Sequence, residues 1–124
     1  MNNLQILILD DDDELRYNLK LFLEDDGFEC KQAANCDTAL KLLQDEEFSV
    51  AIVDIRLPGM SGDEFIPLAT LIAPNLKYIV HTGSTDFELT KELINCGLKS
   101  EDVFRKPVTD MTSFSKKINE ILNN

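Results

Sequence analysis

The sequence predicts a single α/β domain in which helices cover both faces of a five-stranded parallel sheet. Short apolar runs alternate with amphipathic segments along the chain, which is the pattern of repeated βα units. A length of 124 residues suits one domain with a substantial core and is too short for a second folded unit. No linker, repeat or low-complexity segment interrupts the pattern. We therefore expect residues 1–124 to form one domain.

The predicted strands are four apolar runs, at residues 4–9, 50–53, 76–81 and 103–105, and the segment 28–33 as strand two. Four of these runs lead into polar residues, which are Asp10 and Asp11, Asp54, Thr82 and Lys106. Right-handed crossovers favour the strand order 2-1-3-4-5, which is that of a flavodoxin-like three-layer sandwich. This order reverses between strands one and three, so a crevice opens there at the carboxyl edge of the sheet. We expect Asp10 and Asp11 to lie beside Asp54 in that crevice.

Apolar stripes mark helices one and five, and glycines mark the ends of helices one and four. Helix two covers residues 36–46, and Gly27 and Gly97 are expected to end helices one and four. Helices one and five each carry an apolar stripe that should face the core. The stripes are Leu15, Leu19, Phe22 and Leu23 in helix one, and Phe114, Ile118, Ile121 and Leu122 in helix five.

Capping boxes mark the predicted starts of helices three and four. Ser61 followed by Glu64 is expected to open helix three, with Pro67 near its first turn. Thr85 followed by Glu88 repeats the pattern and is expected to open helix four. Helix four would then begin soon after the fourth strand.

The composition excludes several classes of function. Acidic residues outnumber basic residues 23 to 12, for a net charge of -11, which argues against nucleic acid or an acidic partner. The three cysteines, Cys30, Cys36 and Cys96, form no CxxC pair, which favours reduced thiols over disulfides or a zinc site. No apolar stretch reaches membrane-spanning length, and residues 1–9 lack the features of a signal peptide. We expect a soluble, cytoplasmic protein that does not bind membranes.

The residues expected at the sheet edge suit phosphoryl chemistry. Three carboxylates in one crevice must share a proton or surround a hard cation, and Mg²⁺ prefers carboxylate and water oxygens. Lys106 adds a positive charge, Thr82 adds a hydroxyl donor, and the amino end of helix four lies beyond them. A carboxylate nucleophile, a metal ion and fixed donors are the parts of a phosphoryl-transfer site. Asp54 is the predicted nucleophile.

Four motifs occur in an informative order along the chain. They are Asp10-Asp11 after strand one with Arg16 further on, the segment AIVDIRLPGMSG around Asp54, Thr82-Gly83 after strand four, and Lys106-Pro107 after strand five. In this order and spacing they resemble the response regulator receiver domain of bacterial two-component signal transduction. The resemblance covers the whole chain, residues 1–124.

The resemblance implies a phosphoacceptor and a metal site. Asp54 would accept a phosphoryl group from the phosphohistidine of a histidine kinase. Asp11, Asp54 and the backbone carbonyl of Arg56 would hold Mg²⁺, and Asp10 would orient a metal-bound water. The Arg56 side chain would occupy a position that tunes the lifetime of the phosphoryl group.

The resemblance also implies groups that bind and sense the phosphoryl group. Lys106 and Thr82 would contact its oxygens, and Gly83 would leave room for them. Ser84 lies at a second position that tunes the phosphoryl lifetime. The peptide bond between Lys106 and Pro107 would be cis, which an X-Pro bond allows at modest cost.

The implied partners are those of a signalling domain. A sensor histidine kinase or a phosphotransfer protein would supply the phosphoryl group, and a downstream effector protein or domain would respond to it. A dimer would form through the face made by helix four, strand five and helix five. The domain would catalyse its own phosphorylation and dephosphorylation without turning over an independent substrate.

The sequence departs from the family before strand five. Val103 stands three residues before Lys106, where relatives usually carry a Tyr or Phe whose rotation reports phosphorylation. Phe104 is one residue away, which in a strand places it on the opposite face. Residues 97–106 are about two residues longer than usual, so we expect a bulge there.

Two other functions fit parts of the sequence. Asp10-x-Asp12 resembles the nucleophile motif of haloacid-dehalogenase-like phosphatases, in which Asp10 rather than Asp54 would be phosphorylated. A receiver-like interaction module that does not accept phosphate is the other alternative, and mapping the modified aspartate separates all three.

Asp12 and Asp13 are expected to serve the amino end of helix one, and His81 to be a strand residue with satisfied hydrogen bonds.

Overall fold

The computed structural model describes residues 5–123 and has the predicted α/β architecture. The strands are β1 (Gln5–Leu9), β2 (Glu29–Ala33), β3 (Val50–Val53), β4 (Lys77–Thr82) and β5 (Val103–Arg105). The helices are α1 (Asp13–Asp25), α2 (Cys36–Asp45), α3 (Gly62–Ile72), α4 (Lys91–Asn95) and α5 (Thr112–Leu122), and a 3-10 turn (Ser100–Asp102) precedes β5. All strand pairs are parallel and the order is β2-β1-β3-β4-β5, as predicted. Leu4, the first residue of the first predicted strand, lies outside the described residues.

Buried apolar side chains build a separate core on each face of the sheet. Leu7 and Leu9 of β1 belong to a first core with α2, α3 and α4, whereas Ile6 and Ile8 belong to a second core with α1 and α5. Because both faces of the sheet are covered at its centre, β1, β3 and β4 are mostly buried, whereas the edge strand β2 alternates exposed and buried residues. Among the described residues, no helix has the length and apolar character needed to cross a membrane.

Most helix boundaries follow the capping signals in the sequence. The Asp12 side chain caps α1 by accepting a hydrogen bond from a backbone N–H of its first turn, as predicted. The capping box of Ser61 and Glu64 opens α3, also as predicted. Gly27 and Gly97 follow α1 and α4 with φ angles of 98° and 102°, a backbone conformation that favours glycine.

The predicted start of helix four is wrong. α4 begins at Lys91 and is capped by Thr90, whose hydroxyl accepts a hydrogen bond from the Leu93 N–H at 3.2 Å. The segment after Thr85 is instead a loop, because Phe87 turns into the first core and is only 7% exposed. Burial of a phenylalanine side chain contributes about 2 kcal/mol, which outweighs about 1 kcal/mol for a helix cap.

Pro67 lies in the second turn of α3 rather than near its first turn as predicted. α3 begins at Gly62, whose N–H donates to the Ile55 carbonyl at 2.8 Å. A Cβ at Gly62 would overlap the backbone carbonyl of Asp54. Because Pro67 lies inside α3 and has no N–H, one hydrogen bond within the helix is missing. Gly62 allows α3 to begin directly against the strand end that carries Asp54.

The segment in which we expect a bulge contains the 3-10 turn, which is held by an ion pair. Lys117 of α5 lies 3.0 Å from the carboxylate of Asp102, and both side chains are mostly buried. Val103 packs against the first core and Phe104 against the second, so the two face opposite sides of the sheet as predicted. The Phe104 ring lies 4.9 Å from that of Phe114.

Candidate functional site

Three carboxylates meet at the carboxyl edge of the sheet. Asp10 and Asp11 follow β1, Asp54 follows β3, and one oxygen of each lies within 4.8 Å of the others. Asp10 is 3% exposed and Asp54 is 5% exposed, whereas Asp11 is open to solvent. β1 and β3 are neighbours at the reversal of the strand order, which is why residues far apart in sequence meet here.

The Lys106 ammonium joins the two buried carboxylates. Its Nζ donates to Asp10 Oδ2 at 3.0 Å and to Asp54 Oδ2 at 3.3 Å. The peptide bond between Lys106 and Pro107 is cis, as predicted. Burial lowers the pKa of Lys106, but the hydrogen bond and charge of Asp10, followed by those of Asp54, outweigh burial and raise the pKa overall. Lys106 is therefore protonated at neutral pH.

Asp54 is a weaker acid than an ordinary aspartic acid. Burial raises the pKa of its carboxyl group above 3.8, and the charge of Asp10 raises the pKa further. The charge and hydrogen bond of Lys106 lower this pKa, and the charge of the exposed Asp11 adds a smaller rise. Burial and the neighbouring carboxylates outweigh the lysine. The ionised Asp54 would consequently be stabilised by a cation or an electrophile.

Arg16 anchors the turn that carries Asp10 and Asp11. Its guanidinium donates to the Asp10 carbonyl at 2.7 Å and to the Gln32 side chain of β2 at 2.9 Å. Asp10 Oδ1 accepts a hydrogen bond from the Asp12 N–H at 2.9 Å. Both oxygens of the Asp10 carboxylate thus have partners within the protein, one in the turn and one in the lysine.

A cleft of about 710 Å³ opens beside the carboxylates, and Asp11 lies in its lining. One wall is the segment after β3, which includes the exposed Arg56. The opposite wall is the segment after β4, with Ser84, Asp86 and Glu88. The end of β3 is therefore reached from solvent between two loops.

Thr82 ends β4 and is fully buried. Its Oγ1 accepts a hydrogen bond from the Ser84 N–H at 3.0 Å, so the hydroxyl proton can be donated elsewhere. Gly83 lies between them, and a Cβ there would stand 3.8 Å from the Lys106 side chain. A side chain at Gly83 would therefore lie in van der Waals contact with the lysine stem.

His81 is a buried strand residue outside the site, as predicted. The prediction that its hydrogen bonds are satisfied is wrong. Its Nε2 has no hydrogen-bond partner among residues 5–123. The reason is that α5 presents the ring of Phe114 to it, edge to face at 4.9 Å. Burial lowers the pKa of His81 to about 4, so the imidazole is neutral at pH 7.

Sequence analysis missed a contact that shapes the cleft. Arg105 donates from Nη1 to the Ser84 carbonyl at 2.8 Å and from Nη2 to the Phe87 carbonyl at 2.9 Å. The only sequence signals were an arginine directly before Lys106 and an aromatic residue within a polar segment. Neither signal indicates that the two residues meet.

Comparison with known proteins agrees with this geometry. The sequence model of the response regulator receiver domain family matches residues 6–119. The chain belongs to this family. A receiver domain acts in phosphorelay signal transduction, and the acidic pocket at the sheet edge is where this family typically binds Mg²⁺.

Similar proteins have different overall lengths. The sporulation initiation phosphotransferase F of Bacillus subtilis is 30% identical over 107 residues, covering 86% of this chain and 85% of that protein. A cyclic di-GMP phosphodiesterase of Thermotoga maritima is 34% identical over 119 residues, covering 96% of this chain, which spans only 31% of that protein. A CheY-like receiver domain protein from Methanospirillum hungatei has a crystal structure with a TM-score of 0.88 and 33% identity, covering 98% of this chain and 95% of that one.

Proposed function

We propose that Asp54 accepts a phosphoryl group from the phosphohistidine of a sensor histidine kinase or a phosphotransfer protein. The observation that carries this proposal is the cluster itself, in which the buried Asp54 carboxylate has a raised pKa and an ammonium 3.3 Å away. An Asp54 oxygen would attack phosphorus and form an acyl phosphate while the bond from phosphorus to the imidazole nitrogen breaks. The imidazole leaves with that electron pair.

Lys106 and Thr82 would bind the incoming phosphoryl oxygens. Lys106 is protonated and already donates to Asp54, so its charge lies where negative charge arrives. The Thr82 hydroxyl accepts from Ser84 and retains its proton for donation. Gly83 adds no side chain between these donors. Fixed donors of this kind stabilise charge without having to reorganise during the reaction.

The carboxylates also fit a divalent cation such as Mg²⁺. Both oxygens of Asp10 have protein partners, whereas among residues 5–123 Asp54 Oδ1 and the Asp11 carboxylate accept no hydrogen bond. Asp11, Asp54 and the Arg56 backbone carbonyl would hold the ion, with Asp10 orienting a bound water. When bound, the ion would neutralise charge on the carboxylates and on the phosphoryl oxygens.

We further propose that the phosphorylated domain controls a downstream effector through the face formed by α4, β5 and α5. The same face would serve a dimer. The domain would catalyse only its own phosphorylation and dephosphorylation, and the side chains of Arg56 and Ser84 in the cleft would tune the lifetime of the phosphoryl group. Cys30, Cys36 and Cys96 are free thiols, which fits a protein that works in a reducing compartment such as the cytoplasm.

The phosphatase alternative is disfavoured by the contacts of Asp10 and Asp12. The Asp12 side chain caps α1 by accepting from the Leu15 N–H at 3.1 Å, so it serves the helix. Asp10 Oδ2 is held by Lys106 and Oδ1 by the turn, which leaves Asp10 poorly placed to act as a nucleophile. Asp54 has the freer carboxylate.

Labelling with radioactive acetyl phosphate and Mg²⁺ tests the proposal. Acetate leaves as the phosphoryl group transfers, so no kinase is required. Asp54→Asn should abolish labelling and a chelator should suppress it. Asp45→Asn removes an exposed carboxylate at the end of α2, outside the cluster and the cleft, and should be labelled like the wild type. Undiminished labelling of Asp54→Asn would refute the assignment.

A further inference from the structure

Arg105 holds the loop that forms one wall of the cleft. It is the last residue of β5, directly before Lys106, and its guanidinium reaches the segment after β4. Nη1 donates to the Ser84 carbonyl at 2.8 Å and Nη2 donates to the Phe87 carbonyl at 2.9 Å. A planar guanidinium can bind two acceptors at a fixed spacing, whereas an ammonium presents a single charged point.

Phe87 fastens the same loop at a second place. Its side chain is 7% exposed and belongs to the first core, against which Val103 also packs. Val103 and Arg105 are two residues apart in β5 and so lie on the same face of the strand. That face of β5 therefore packs against the same core as Phe87 through Val103 and binds the loop carbonyls through Arg105.

Ser84 connects this arrangement to the candidate site. Its carbonyl accepts from Arg105, and its N–H donates to Thr82 Oγ1 at 3.0 Å. The two backbone groups of one residue thus join the guanidinium to the hydroxyl that would bind the phosphoryl group. A donor that is already oriented lowers the barrier more than one that must be ordered during the reaction.

We propose that Arg105 is a positioning residue for phosphoryl transfer to Asp54. By fixing Ser84 and Phe87, it orients the Thr82 hydroxyl and one wall of the cleft without itself touching the phosphoryl group. This inference rests on the proposed role of Asp54 and adds a residue to it.

The contacts of Arg105 also predict what its loss would leave unchanged. Among residues 5–123, its guanidinium makes no hydrogen bond to the carboxylates of Asp10, Asp11 or Asp54. Removing it should therefore slow the reaction without weakening the affinity for Mg²⁺. General damage to the fold would change both quantities, so the two can be told apart.

The test measures the labelling rate constant with acetyl phosphate at saturating Mg²⁺, and separately the half-saturating Mg²⁺ concentration. Arg105→Gln should slow labelling by about tenfold, which corresponds to losing about one well-formed charged hydrogen bond. Arg105→Lys should restore only part of the rate because an ammonium cannot span both carbonyls. The half-saturating Mg²⁺ concentration should stay within about twofold in both variants. Lys77→Gln, which removes an exposed positive charge at the other end of β4, should match the wild type.

Equal rates for wild type and Arg105→Gln would overturn the inference, as would parallel losses of rate and Mg²⁺ affinity. A wild type that takes no label would instead overturn the proposed role of Asp54.

Nitrogen-15 NMR of the wild type gives a measurement that needs no variant. Hindered rotation should give Arg105 two resolved Nη signals, and a freely rotating guanidinium would contradict the inference.

Discussion

Exchanging Asp54 for Asn removes a buried charge, and without divalent metal the folded domain should become more stable. At an effective dielectric constant of about 20, a like charge no more than 4.8 Å away costs at least about 3.5 kcal/mol, and an opposite charge 3.3 Å away contributes about 5 kcal/mol. Repulsion from Asp10 therefore offsets most of the attraction to Lys106. The exposed Asp11 adds roughly 1 kcal/mol of repulsion in a more water-like dielectric.

These charge effects nearly cancel, so the burial of the Asp54 carboxylate decides the sign. Burial is the largest cause of its raised pKa. Removing a buried charge that its neighbours do not neutralise typically contributes about 1 to 2 kcal/mol, so we expect Asp54→Asn to gain this much free energy of unfolding at pH 7. For a domain of 124 residues, each kcal/mol moves the melting temperature by about 4 °C, so the rise should be about 4–8 °C.

Thermal unfolding in a chelating buffer, followed by circular dichroism, measures this difference. Asp86→Asn is the matched control, since it removes an exposed carboxylate and should change stability by less than about 0.5 kcal/mol. A melting temperature for Asp54→Asn at or below that of the wild type would refute the reasoning. It would mean that attraction to Lys106 exceeds the combined cost of burial and repulsion.

The pH dependence of stability independently tests the direction of the Asp54 pKa shift. The pKa of Asp54 is raised in the folded state above its ordinary 3.8, so folding takes up a proton between these two values. The destabilising contribution of the wild-type carboxylate is complete above the folded pKa and disappears as the pH falls below 3.8. The advantage of Asp54→Asn should therefore shrink between pH 7 and pH 4. An advantage that grows on acidification would contradict the direction of the shift.

Three further predictions concern the neighbouring groups. Lys106→Gln should lower the free energy of unfolding, measured by urea titration, by about 2 kcal/mol, because Asp10 and Asp54 lose their shared cation. An unchanged free energy of unfolding would mean that Lys106 does not bind the two carboxylates in solution. Asp11→Asn should weaken Mg²⁺ binding, measured by calorimetry, at least about tenfold. Because Asp11 is exposed, this exchange should change the metal-free melting temperature less than Asp54→Asn does. An unchanged Mg²⁺ affinity would exclude Asp11 as a ligand. With beryllofluoride, a stable mimic of the phosphoryl group, backbone chemical shifts should change across α4, β5 and α5 without a ring rotation, and Val103→Tyr should test whether a ring enlarges the response. Changes confined to the site in the wild type would exclude this face as the output surface.

The sheet and the acidic cluster were predictable because both depend on short-range signals. A parallel strand buried on both faces is a continuous apolar run, and the polar residue that follows it falls at the sheet edge. Asp10, Asp54 and Lys106 each occupy such a position. The right-handedness of βα crossovers then favours the strand order in which β1 and β3 are neighbours.

The loop after β4 was not predictable, because its conformation depends on distant contacts. Thr85 and Glu88 form a local capping pattern, but Phe87 between them gains more from entering the core than a capped helix would supply. The Arg105 guanidinium then binds the Phe87 carbonyl, which the predicted helix would have used, and the Ser84 carbonyl just before it. Nothing near these residues in the sequence indicates a partner so far along the chain.

The most direct test of the central claim is to map the phosphorylated side chain. After reaction of the wild type with acetyl phosphate and Mg²⁺, borohydride reduces an aspartyl phosphate to homoserine, which peptide mass analysis locates. The structure predicts homoserine in place of Asp54 and at no other aspartate. Homoserine in place of Asp10 would indicate the phosphatase mechanism, and its absence from every peptide would show that the domain does not accept phosphate.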